Sequence, residues 1–174
     1  MPLDYLWCGR LKRRPSQLSR EEPMAFEIVE RPAQRIAGAF WEGTFVEAAD
    51  GAVRRLIAEM QEHHLRLHPN DHPTLVGLSW NDRSDGFRYL VGFVAEIAEA
   101  TRHPGHVDLP SMRFASAMHH PDDGDVFAHY RHMFEWIAAE GLSADTARFD
   151  YREEYEPGFV SLSLSSLRLM VPIR

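Results

Sequence analysis

The side chains able to do chemistry fall into a few groups. Ten histidines invite a metal reading. His64 and His68 stand four apart, and His129 and His132 three apart, spacings that set two imidazoles on one helix face. The first pair abuts Pro69, no glutamate follows in a metalloprotease pattern, and the ligand count is not met, so no metal is expected. Ser161, Ser163, Ser165 and Ser166 form a polar run without the Gly-x-Ser-x-Gly elbow of a serine nucleophile. There is no glycine-rich phosphate loop, and no cofactor is expected. Arginines and aromatics remain. Arg88 and Arg168 carry planar donors suited to carboxylate or phosphate, or else pair with local acids such as Glu153 or Asp150. Trp80, Tyr151 and Phe40 offer flat rings suited to a planar organic ligand, whereas Tyr89, facing opposite to Arg88, reads as core. This chemistry is recognition rather than catalysis, and no catalytic residue is expected.

Composition narrows the partners. Formal net charge is -7, with 44% hydrophobic and 26% charged residues. The basic excess of a nucleic-acid binder is missing, and the one basic cluster spans residues 10–14. No direct nucleic-acid partner is expected. Cys8 is the only cysteine, which excludes an intrachain disulfide and thiolate zinc. No apolar run approaches the roughly 20 residues of a membrane helix, and the first residues lack a secretion signal. No membrane partner is expected, and a cytoplasmic location follows by default.

Certain elements must position these groups. Residues 1–23 read as an extension broken by Pro2, Pro15 and Pro23. Two strands follow, near 26–30 and 35–41. Val53, Leu56, Ile57 and Met60 recur at helical spacing and predict a helix over 47–65. Residues 75–80 and 87–95 read as strands, and 101–108 as a linker. The order then recurs: a strand at 113–118, a helix at 126–140 with Tyr130, Met133, Phe134 and Ile137 on its apolar face, a strand starting at 149–151, and a last strand at 167–173.

A shift of 78 places Pro32, Arg35, Ala37 and Ala39 on Pro110, Arg113, Ala115 and Ala117. Shifts of 77 and 80 do the same for the helices and the final strands. The reading is an α+β fold: a tandem duplication of a βαββ unit over 26–96 and 108–174. It has pseudo-twofold symmetry, antiparallel sheets and one main helix per repeat. Alternation puts Arg168 and Met170 on one face of the last strand, and Leu169, Val171 and Ile173 on the helix-packing face. The helix-free surfaces are expected to meet and leave a groove. Its expected ligand-binding residues are Trp80, Arg88, Tyr151, Arg168, Met170 and Phe40.

Several segments resemble the GyrI-like domain family. Residues 27–32 and 35–38 resemble its first strand pair, and Trp41-Glu42-Gly43-Thr44-Phe45 its His-x-Gly-Pro-Tyr turn, with tryptophan for histidine. Val76-Gly77-Leu78-Ser79-Trp80-Asn81-Asp82 resembles its aromatic strand and acidic turn. Arg88-Tyr89 before Gly92 resembles another strand. Phe134-Glu135-Trp136, Tyr151, Tyr155-Glu156-Pro157 and Met170-Val171-Pro172-Ile173 follow in order. The likeness covers 24–174. It implies a small-molecule-binding domain of the kind used by bacterial transcription regulators of the AraC and MerR types, including multidrug binders, by a gyrase inhibitor and by small hydrolases. The family often has an acid four positions before the last proline, where this chain has Arg168. That exchange predicts a neutral or anionic ligand, held by a stand-alone sensor or sequestering domain. The alternatives are a hydrolase using Glu42 or Glu153 beside Trp80 and Tyr151, and a gyrase-inhibitor-like protein binder.

Overall fold

The computed structural model describes residues 25–95 and 105–174, so the expected extension over 1–23 lies outside the described residues. The elements run β1 (Glu27–Arg31), β2 (Gln34–Thr44), α1 (Phe45–Ala49), α2 (Ala52–Leu67), β3 (Leu75–Trp80), β4 (Gly86–Val94), β5 (Gly105–Leu109), β6 (Met112–His119), α3 (Val126–Ala139), β7 (Tyr151–Tyr155) and β8 (Leu167–Ile173). The fold is mixed α and β, with one sheet in the order β1-β6-β8-β7-β3-β4-β2-β5. Every pairing is antiparallel. The strands that meet at the centre are β3 and β7. No helix among the described residues is long and apolar enough to cross a membrane.

Two local departures from the sequence reading have clear causes. The helix expected over 47–65 is two helices. Thr44 caps α1 in a reciprocal box: its hydroxyl accepts from the Glu47 N–H, and the Glu47 carboxylate accepts from the Thr44 N–H at 2.7 Å. Gly51, at φ 90°, then turns the chain into α2. The stretch expected as a linker contains β5. Val107 and Leu109 point inward while His106 and Asp108 point out, and β5 pairs with β2 from Leu109↔Gln34 to Gly105↔Gly38. Polar residues on its outer face give this edge strand the composition of a loop.

Period-2 alternation gives each strand two apolar faces, and both are filled. On one side α2 and α3 lay Val53, Ile57, Met60, Tyr130, Met133 and Ile137 against Leu167, Leu169, Val171 and Ile173 of β8 and the odd-numbered residues 87–93 of β4. Leu56 and Phe134 are partly buried against the same cluster. On the helix-free side Ile36, Val76, Leu78, Leu90, Leu109, Phe114, Phe149 and Met170 form a second buried cluster. Each such side chain stabilises by about 1.5–3 kcal/mol on burial. The face expected to hold an open groove is thus occupied by its own side chains, in part because Leu109 of β5 and Phe149 from the segment before β7 pack onto it.

Candidate ligand-binding site

The centre of the helix-bearing face is built on β7. Alternation turns Tyr151, Glu153 and Tyr155 toward the helices, and Arg152 and Glu154 toward the other face. Glu153 sits opposite Gly77 of β3, and Tyr151 opposite Ser79. Gly77 is a requirement of the site. A Cβ there would lie 1.9 Å from the Tyr89 hydroxyl, so the bare backbone lets the Tyr89 ring cross β3 from β4. The hydroxyls of Tyr89 and Tyr155 then each lie in hydrogen-bonding contact with Glu153 Oε2, both at 2.6 Å. The two phenol oxygens are 2.7 Å apart, and Tyr130 of α3 reaches Glu153 Oε1 at 3.5 Å.

Burial raises the Glu153 carboxyl above the usual carboxylate range, opposed by the hydroxyls of Tyr155, Tyr89 and Tyr130. Burial also holds the phenols of Tyr89, Tyr130 and Tyr155 well above their ordinary value, with the nearby Glu153 charge adding to it. Tyr151 is pushed up to about 12 by burial and then by Asp150.

Above this floor is a cavity of about 40 Å³. Ala48, Val53 and Arg54 wall it on the α1–α2 side, and Val126, Phe127 and Tyr130 on the α3 side. Glu153 is partly accessible although its strand is central, because it lines this cavity. The space holds a few waters at most. Arg54 lies at the exposed rim, its guanidinium over Gly51.

Of the expected ligand residues, Tyr151 lines the cavity, its ring 4.4 Å from that of Tyr130. The other five do not. Trp80 packs between Phe40 and Phe149 on the helix-free side, and Arg88 lies over its ring while pairing with Asp82. Arg168 pairs with Glu27 at 2.7 Å and donates to Ser116 at 3.0 Å. Met170 is fully buried in the second core, and Phe40 is half exposed. The side-chain directions match the alternation. The cavity, however, lies on the helix side, where α2 and α3 leave the middle strands uncovered. Glu153, expected only as a catalytic alternative, is the acid that lines the cavity. The pattern Tyr-x-Glu-x-Tyr over 151–155 carried the signal, since it sets all three on one face. Glu42 is exposed and paired with Arg83.

The His64 and His68 rings lie 5.0 Å apart, and His64 bonds Asp71 at 3.2 Å. His129 meets His119, Nδ1 to Nδ1 at 3.0 Å, and donor atoms of His119, Asp123 and His129 lie within 4.8 Å of one another. Burial lowers both buried imidazoles, His129 to about 4.

Solved structures share this architecture. SAV2435, solved with tetraphenylphosphonium bound, is 13% identical with a TM-score of 0.64, covering 87% of this chain and 94% of that one. The C-terminal domain of EcmrR is 10% identical with a TM-score of 0.64, covering 87% and 98%. A hydrolase from Listeria innocua is 17% identical with a TM-score of 0.55, covering 86% and 91%. No curated protein matches the sequence. A family model describes residues 24–174, and on that match the chain belongs to the GyrI-like small-molecule-binding domain family.

Proposed function

We propose that the chain binds a small aromatic organic cation in the cavity between α1–α2 and α3, over Glu153, as a sensor or sequestering domain. The observation that carries this is the acid itself: a carboxyl on the central strand, ringed by three phenols and facing the cavity. A carboxylate and aromatic faces both attract a positive charge, most strongly where water is scarce. The expectation of a neutral or anionic ligand depended on Arg168 and Arg88 facing the ligand. Both lie on the other face of the sheet and are paired there. The tetraphenylphosphonium carried by SAV2435 agrees with a cation. An organic ligand exceeds about 40 Å³, so binding requires the α1–α2 corner and the first turn of α3 to part. Helix α1, with five residues, is the lightest element in that wall.

The reading includes the duplication. Adding 78 to the bounds of β1 (Glu27–Arg31) gives those of β5 (Gly105–Leu109). The strand order reads the same from either edge when β1 to β4 are matched with β5 to β8. The cavity then lies where the two halves meet, with α1, α2, β3 and β4 on one side and α3 and β7 on the other.

A second reading, a hydrolase, is favoured by one observation: the raised Glu153 carboxyl beside phenols has the makings of a general acid. The deciding experiment is a titration with tetraphenylphosphonium and tetraphenylborate, a cation and an anion of matched shape. The cation is expected to bind and the anion not. Glu153→Gln should weaken the cation by about 10- to 100-fold, the worth of a charged contact in a partly dry site. Preference for the borate would overturn the proposal. Turnover of ester or epoxide substrates lost in Glu153→Gln would establish the hydrolase.

A further inference from the structure

We propose that Glu153 is a neutral carboxylic acid in the unliganded protein and loses its proton when a cation binds, so that the site exchanges one proton for one cation. The inference rests on the cation reading of the cavity.

Its basis is a count of protons. Glu153 Oε2 and the hydroxyl oxygens of Tyr89 and Tyr155 form a triangle with edges of 2.6, 2.6 and 2.7 Å. Every edge has hydrogen-bond length, and each needs a proton. Both phenols are buried and stay protonated, so each supplies one. With Glu153 ionised, two protons serve three edges, and one pair of oxygens is pressed together lone pair to lone pair. With a proton on Oε2, each oxygen donates once and accepts once around the ring. Burial, the largest influence on this carboxyl, works in the same direction.

The groups facing Glu153 are few. Strand β4 supplies Tyr89, β7 supplies Tyr151 and Tyr155, and α3 supplies Tyr130. Helix α2 supplies Arg54 at the rim, while β3 contributes Ser79, the turn after it Asn81, and α1 Ala48, and these last three do not titrate. A cation entering between the helix ends brings a positive charge against the acid. The carboxylate is then the favoured form, its O–H bond breaks, and the proton leaves to solvent. Both phenols then donate to the charged oxygen.

The linkage has a definite sign. The cation lowers the carboxyl pKa below its unliganded value. Between these two values affinity rises with pH, by up to about tenfold per pH unit, and it levels off above the upper one. Tetraphenylphosphonium is a suitable probe because its own charge does not titrate. Calorimetry on the full chain, in two buffers of different ionisation enthalpy, counts the protons released. About one proton per bound cation is expected between the two values, falling toward zero above the upper one. Glu153→Gln should bind more weakly with no proton release and no pH slope. Infrared difference spectra should show a protonated-carboxyl C=O band in the unliganded protein, absent from Glu153→Gln and lost on adding the cation. Binding with a flat pH profile and no proton release would overturn the inference and leave the cation site standing. Failure to bind the probe at any pH would overturn both. A carboxylate band in the unliganded protein that Glu153→Gln removes would overturn the inference whatever the binding result.

Discussion

Strand β7 carries two adjacent carboxyls on opposite faces of the sheet, and they should behave in opposite ways when altered. Glu154 belongs to the helix-free core. Its Oε1 accepts from Arg152 Nε and from Arg31 Nε, both at 2.9 Å, and its Oε2 accepts from Arg31 Nη2 at 2.7 Å. Arg152 is 2% exposed, lies over the Phe114 ring and otherwise reaches Gln34 Oε1 at 2.9 Å. Its Nη1 has no hydrogen-bond partner among the described residues. Glu154→Ala therefore leaves a buried guanidinium held by one neutral amide. Breaking a buried pair from one side costs about 3–5 kcal/mol. At about 2–4 °C per kcal/mol for a chain of this size, the melting temperature should fall by roughly 6 to 20 °C. Glu154→Gln keeps the shape and one acceptor, so it should lose less. Burial pushes the Glu154 carboxyl up, but Arg31 and Arg152 outweigh it and hold it low. Its contribution is thus present above the unfolded carboxylate pKa and is lost as pH falls through the lower folded value. Urea denaturation at neutral pH measures the loss, and tetraphenylphosphonium affinity, read well below the melting range, should be unchanged. A loss under about 1 kcal/mol, the size of an exposed pair, would refute the argument by showing that Arg152 finds water.

Four other substitutions test the site and its surroundings. Gly77→Ala sets a methyl 1.9 Å from the Tyr89 hydroxyl, so Tyr89 must leave Glu153, and titration should show cation affinity down by at least about tenfold. Tyr151→Ala should cost about 1–3 kcal/mol of binding, as anchoring aromatics do, while Trp80→Ala should leave affinity within about twofold; the reverse ranking in a fluorescence titration would return the ligand to the helix-free face. Burial lowers His129 to about 4, so the folded protein resists its protonation while the unfolded chain accepts it near 6.5; stability should fall as pH drops from 6.5 toward 4, by about 2 kcal/mol at pH 5, and His129→Gln should flatten that slope in urea midpoints compared at pH 7 and pH 5.

Local order in the chain was legible where one period dominated. Leu75–Trp80 and Leu167–Ile173 have the bounds that their apolar runs predict, and the helical spacing of Tyr130, Met133 and Ile137 puts those residues in the core. Where composition and structure diverged, a neighbour made the difference. Strand β5 looks like a linker until β2 pairs with it and Arg35 grips Asp108 with two bonds, at 2.6 and 2.7 Å.

Periodicity alone separates the two faces of this sheet, assigning Arg168 to one and Leu169 to the other, and ordered short motifs identify the family. It does not say which face keeps an open cavity. That depends on contacts between residues far apart in the chain: Leu109 and Phe149 fill the helix-free side, while α2 and α3 stop short of the middle strands on the other. The site acid depends on tertiary structure in the same way. Glu153 reads as an ordinary strand residue until Tyr89, 64 positions earlier, crosses the bare backbone of Gly77 to meet it. A carboxyl's charge and partners follow from what surrounds it in space, and only the folded sheet brings those groups together.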